Sequence, residues 1–324
     1  MIADLLPTED QSMIQDSVAS FLADRLPVER LRDTAAAGGG AERAEWAGLA
    51  EIGVFGMGLA EDKGGVGYDL AEEVIAAREL GRNLVSSNVL ATMLAAHLAA
   101  DRPELVADLA AGVSRAAFAN LGEAGETSAQ LIDAEGADHF VAWDETSAFL
   151  FPAAGAANRT VKAAMDDTLQ VERADLAGLT RHGVSLAQRA DVLVCAYLTG
   201  IAEAAVAMAV EYAKTRQQFD QPIGAFQAIK HACADMAVRA EAARAQTFYA
   251  ALAVQTADPS AATEVAAARL IARRSAIENA KANIQIHGGM GFTQESTAHL
   301  YLKRALTMAT LNASLGRDLA RLKP

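Results

Sequence analysis

The sequence has 324 residues, of which 52% are apolar and 21% charged, a balance that excludes a disordered chain and provides for a sizeable core. Its 28 basic against 41 acidic residues give a formal net charge of −13, which argues against a nucleic-acid binder and against docking on an anionic membrane. Two cysteines, Cys195 and Cys233, are too few for a disulfide scaffold, and their alanine-rich setting points to buried thiols in a reducing cytoplasm.

The amino terminus is acidic and lacks an apolar signal core, and no apolar run predicts a membrane span. The first part, residues 1–113, reads as helical. Thr8 and Gln11 have the spacing of a capping box, and Ile14, Val18, Phe21 and Leu22 recur at helical intervals behind it. Thr34–Gly40 reads as a flexible loop, followed by a helix around Glu45–Ile52 and a glycine turn at Gly64–Gly67. Helices over Leu70–Leu80 and Asn88–Ala100 come next, and Pro103 suits the first turn of another.

Residues 114–185 change character. Short β-rich pieces at 116–121, 139–143, 148–152, 160–164 and 168–171 are separated by Gly, Asp and Asn, as in a small antiparallel sheet. Residues 186–324 return to helix, with long helices expected over 187–214, 225–255, 260–286 and 297–322. In the second of these, Phe226, Ile229, Cys233, Met236, Ala240 and Ala243 step by three and four, an apolar seam that a four-helix bundle would bury.

Two clusters stand out. Arg216-Gln217-Gln218-Phe219 follows a long helix and precedes Gln221-Pro222-Ile223-Gly224; the arginine suits either a helix dipole or a bound phosphate. Gln285-Ile286-His287-Gly288-Gly289-Met290-Gly291-Phe292 reads as a helix end with a turn, or as backbone that admits a ligand closely; it lacks dinucleotide-fingerprint spacing. No His, Cys or Asp grouping has metal-ligand spacing, and no metal is expected. Glu295 reads as a structural partner for an arginine, and His97 as a core or boundary residue.

Together with Thr8–Gln11, Trp46–Gly53, Gly64–Gly67 and Glu79–Arg82, these clusters resemble the acyl-CoA dehydrogenase family over both helical parts. The resemblance implies a mainly α fold: an amino-terminal helical domain (1–113), a reduced central β-domain (114–185) and a carboxy-terminal four-helix domain (186–324). It implies FAD held between subunits, with Arg216, Gln218 and Phe219 near the diphosphate and Gln285, His287, Gly288 and Gly289 near the ADP half. It implies α,β-dehydrogenation of an acyl-CoA thioester, with electrons passing to an electron-transfer flavoprotein.

The sequence departs from the family in instructive places. The two usual positions for the catalytic carboxylate are occupied by Asn312 and Ala190, neither of which is a base. Asp191 is the nearest carboxylate and the candidate catalytic base, but it is one residue and so about 100° of helix out of register, and the alternative is a solvated aspartate at the helix start. The flavin-supporting segment survives only as Gly122–Glu126, Trp143 lies in an unfamiliar context, and Asp220 replaces a glycine. These losses resemble the base-lacking chain of heteromeric actinobacterial enzymes that degrade steroids and side chains. The expected partner is a second acyl-CoA dehydrogenase-like chain in an α2β2 assembly; a self-sufficient homo-oligomer with a relocated base, or a silent helical scaffold, are the alternatives.

Overall fold

Thr8 starts the first helix as its spacing predicts: its hydroxyl accepts from the Gln11 amide, and the Gln11 side chain accepts from the Thr8 amide. The computed structural model describes residues 6–32, 40–121, 128–176, 183–312 and 315–322. The expected Thr34–Gly40 loop and the Gly122–Glu126 remnant fall wholly or largely outside these residues. The amino-terminal helices are α1 (Glu9–Arg25), α2 (Gly40–Ala44), α3 (Trp46–Glu51), α4 (Leu70–Arg82), α5 (Ser87–Leu98) and α6 (Pro103–Ala110), the last with Pro103 at its start.

The strands are β1 (Ala116–Leu121), β2 (Ser128–Ile132), β3 (His139–Trp143), β4 (Ala148–Pro152), β5 (Ala157–Lys162) and β6 (Val171–Asp175). They form one six-stranded sheet in the order β4-β3-β1-β2-β6-β5. This corrects the antiparallel expectation, because β1 and β3 pair in parallel. The segment after β2 passes beneath the start of β1, so β3 rises on its far side, with His139 opposite Ala116. The expected 168–171 strand begins at Val171, because Thr168 turns on the Asp166 carboxylate through both its amide and its hydroxyl.

The carboxy-terminal helices are α7 (Ala187–Thr215), α8 (Gln227–Gln255), α9 (Ala261–His287), α10 (Ala298–Met308) and α11 (Leu315–Arg321). The short hairpin strands β7 (Gln217–Gln218) and β8 (Gln221–Pro222) lie between α7 and α8. Helices α7 to α10 make the bundle. The single helix expected over 297–322 is broken, and Asn312 in the break has φ 46°.

Helix α7 is long and apolar enough to cross a membrane, with mean hydropathy 1.9, but 72% of that apolar window is buried inside the protein. It is the central core helix. Where it crosses α4, a Cβ on Gly200 would lie 1.9 Å from the Arg78 carbonyl, and one on Gly81 would lie 2.0 Å from the Tyr197 carbonyl. Two glycines facing each other's helices therefore let the backbones touch. Nearby, buried Arg304 on α10 donates to Asp166, to Thr168, to the Leu84 and Val85 carbonyls and to the Tyr197 hydroxyl, at 2.7–3.0 Å. One guanidinium thus joins the amino-terminal helices, the sheet and the bundle.

Candidate functional site

At the carboxy-terminal end of α7, the Arg216 amide donates to the Tyr212 carbonyl and the chain turns into the β7–β8 hairpin. The two central residues of that turn, Phe219 and Asp220, have φ 52° and 61°. A two-residue hairpin requires this left-handed conformation, and Asp tolerates it, so Asp220 replaces glycine without losing the turn. The Phe219 ring is 85% exposed and meets Phe226 edge-on. Arg216 is exposed and has no carboxylate partner among the described residues.

At the end of α9, Gly288 has φ 59°, and an added Cβ on Gly288 or Gly289 would meet nothing within 4 Å. The backbone of this loop is open to a ligand, and Phe292 beyond it is 77% exposed. His287 itself is buried. Its Nδ1 lies 2.8 Å from the Asn283 carbonyl, and burial holds its pKa below the ordinary histidine value. Its ring stacks on Tyr212 with centroids 4.1 Å apart. That stack fastens the end of α7 to the end of α9, so the arginine hairpin and the glycine loop belong to one end of the bundle.

The donor set there is an unpaired guanidinium, open glycine backbone and exposed aromatic faces. It fits a dinucleotide diphosphate with an aromatic base. Gln285 is exposed and Gln218 donates only to the Gln217 carbonyl, so both amides are free to turn to such a ligand.

The other end of the bundle is closed. Asp191, on the first turns of α7, is ion-paired with Arg269 of α9, accepts from Trp143 Nε1 at 2.8 Å and lies 3.3 Å from the Asn312 amide nitrogen. Arg269 also pairs with Asp318 at 3.1 Å and donates to the Asn312 carbonyl, which accepts from Arg317 as well. The expectation placed Asp191 one position out of register, as a candidate base or as a solvated helix-start residue. The structure places it in a buried network instead. Ala190 beside it is buried.

Sequence reasoning missed Arg269 and Tyr212. The signal for Arg269 was its place beside Val265, Ala268 and Ala272, all buried positions of α9. Glu295 is exposed and has no ion pair among the described residues, which corrects its reading as an arginine partner. His97 is a boundary residue, as expected: its Nε2 lies 2.6 Å from Glu73, which Arg189 also pairs. Burial pushes the Glu73 carboxyl up, and His97 with Arg189 outweighs it, leaving the pKa lowered.

Comparison with known proteins identifies the family and the fold. The family profile for the acyl-CoA dehydrogenase C-terminal domain matches residues 186–312, and that for the N-terminal domain matches residues 8–103. The chain is 33% identical to the acyl-CoA dehydrogenase IpdE2 of Mycobacterium tuberculosis, over 98% of each chain. It is similar in structure to a chain of the ChsE4–ChsE5 complex of M. tuberculosis, with 25% identity, TM-score 0.82 and coverage of 99% and 97%. The fold also matches butyryl-CoA dehydrogenase of Megasphaera elsdenii, at 21% identity and TM-score 0.82 over 99% and 98% of the two chains.

Proposed function

The chain belongs to the acyl-CoA dehydrogenase family of FAD-dependent oxidoreductases, and from that premise we propose that it is the subunit of a heteromeric enzyme that completes the FAD site of a partner chain. The observation that carries this reading is the contrast between the two ends of its bundle. The end with Arg216, Gln218, Phe219, Gln285, Gly288 and Gly289 is open and rich in donors, with buried His287 behind it. The end where a base would stand has its carboxylate consumed by Arg269, Trp143 and Asn312.

In this reading the Arg216 guanidinium binds the diphosphate of FAD, and the open backbone at Gly288 and Gly289 admits its ADP half. Tyr212 and His287 keep the two loops in register. FAD, when bound, supplies the hydride acceptor for α,β-dehydrogenation. The partner chain provides the carboxylate that takes the α-proton. Asp191 serves as a structural anion. The substrate is an acyl-CoA with a steroid-derived or branched acyl group, electrons leave to an electron-transfer flavoprotein, and the enzyme works in the reducing cytoplasm, where free Cys195 and Cys233 persist.

The test is to purify the chain alone and together with a co-expressed acyl-CoA dehydrogenase-like partner, and to record flavin absorbance and dye reduction by acyl-CoA. Flavin and turnover only in the pair, with flavin lost on Arg216→Ala in this chain, are the expected results. A yellow, active single chain would overturn the proposal, and an Asp191→Asn variant of it without turnover would restore Asp191 as the base.

A further inference from the structure

Away from both bundle ends, a cavity of about 170 Å³ lies between α1, α4 and α8. For scale, an engineered apolar cavity of roughly 150 Å³ admits a benzene-sized guest. Its apolar wall includes Ala71, Ile75, Phe248 and Leu252, and two arginines, Arg78 and Arg244, reach it.

Arg78 is the unusual member. It is only 6% exposed, and its Nε is fully buried without a hydrogen bond. Its carboxylate neighbours stand off, Glu203 at 3.5 Å and Glu79 at 3.7 Å, and its guanidinium lies over the Phe248 ring at 5.6 Å. Those neighbours are engaged elsewhere: Arg82 takes Glu203 at 3.0 Å and Glu79 at 3.3 Å. A guanidinium carries five donors, and the buried Nε of this one, without a hydrogen bond, is costly. Arg244 is bound by Glu241 through Nε and Nη2, at 2.9 and 2.6 Å, which leaves Nη1. Arg78, Arg82 and Arg244 face Glu79, Glu203 and Glu241, and the Glu72 carboxylate is engaged by Gln11 at 2.7 Å. An incoming carboxylate finds its acceptor role at the two arginines that reach the cavity, Arg78 and Arg244.

We infer that this cavity is a binding site for a small free carboxylic acid with a compact apolar body, held with its carboxylate on Arg78 and Arg244 and its hydrocarbon part against Ile75, Phe248 and Leu252. A planar carboxylate matches the guanidinium fork, and a ring-sized hydrocarbon matches the volume. The site is separate from the FAD loops, so its occupancy is independent of how the flavin is shared.

Calorimetric titration of the full chain with cyclohexanecarboxylate, and with cyclohexanemethanol as the neutral counterpart, tests this. The acid should bind saturably at one site, and the alcohol about tenfold or more weaker, the difference carried by charge-assisted hydrogen bonds. Arg78→Met should lose the acid by at least the same factor. Leu252→Trp, at a half-buried wall position, should block both ligands while the free protein still melts cooperatively, so the inference stays testable if Arg78→Met misfolds. Equal binding of acid and alcohol, no saturable binding of the acid, or undiminished binding by Leu252→Trp would overturn it.

Discussion

Replacing Arg304 by Met isolates the worth of one buried charge. The carbonyls around it keep other donors, Leu84 from Arg30 and Val85 from Tyr197; the Tyr197 and Thr168 hydroxyls lose a donor but still donate to Val85 and to Asp166 Oδ1. What loses its partner is Asp166 Oδ2, paired at 2.7 Å between side chains that are each 1% exposed. The cost is therefore that of an uncompensated buried carboxylate, about 3–5 kcal/mol. Adding Asp166→Asn removes the stranded charge, so the double variant should be more stable than the sum of the singles by roughly 2 kcal/mol. Urea midpoints read by tryptophan fluorescence measure this. Single-tryptophan forms retaining Trp46 or Trp143 follow the amino-terminal helices and the sheet separately, and both transitions should fall together. A loss below about 1 kcal/mol, or strict additivity with Asp166→Asn, would refute the reasoning that charge rather than packing dominates.

Other outcomes follow from single contacts. Gly200→Ala drives a Cβ against the Arg78 carbonyl of α4, rigid backbone that has no free end to swing aside, and should cost about 3 kcal/mol or more in a thermal melt. Burial pushes the Asp133 carboxyl up to about 6, against the hydrogen bond from Ser86. The folded chain thus holds that proton more tightly than the unfolded one. Its stabilising contribution is full below the ordinary carboxylate range and is lost as pH rises through about 6. Asp133→Asn should therefore gain on the parent by roughly 2 kcal/mol between pH 4 and 7 in urea midpoints. Burial also raises the Cys195 thiol to about 12, so a thiol reagent should label only the half-buried Cys233 until the chain unfolds.

Much of the fold was legible because its signals are local. The Thr8–Gln11 box, Pro103 at a helix start and the spacing of the α8 seam each act within a few residues. Strand β2 was missed because Ser128–Ile132 is short and carries no β-branched residue before Ile132, and the parallel β1–β3 pairing is decided by a crossover that no local pattern records. The break at Asn312 was hidden for the same reason. Its left-handed backbone is held by Arg269 and Arg317, which reach its carbonyl from α9 and from the start of α11. The arginine hairpin and the glycine loop were visible as motifs, but the fate of Asp191 depended on Trp143 and Arg269, 48 and 78 residues away.

The knot of side chains around Asp191 bears on how this chain can evolve. A glutamate placed at position 312 would enter a left-handed backbone conformation that disfavours it, beside Asp191 and Asp318 with Arg269 already shared between them. On the proposed heteromeric reading, a first step toward an independent enzyme is thus penalised before any gain in turnover, and the path needs several coordinated changes. Dependence on a partner would then behave as a ratchet, with selection on the pair acting on their shared surface.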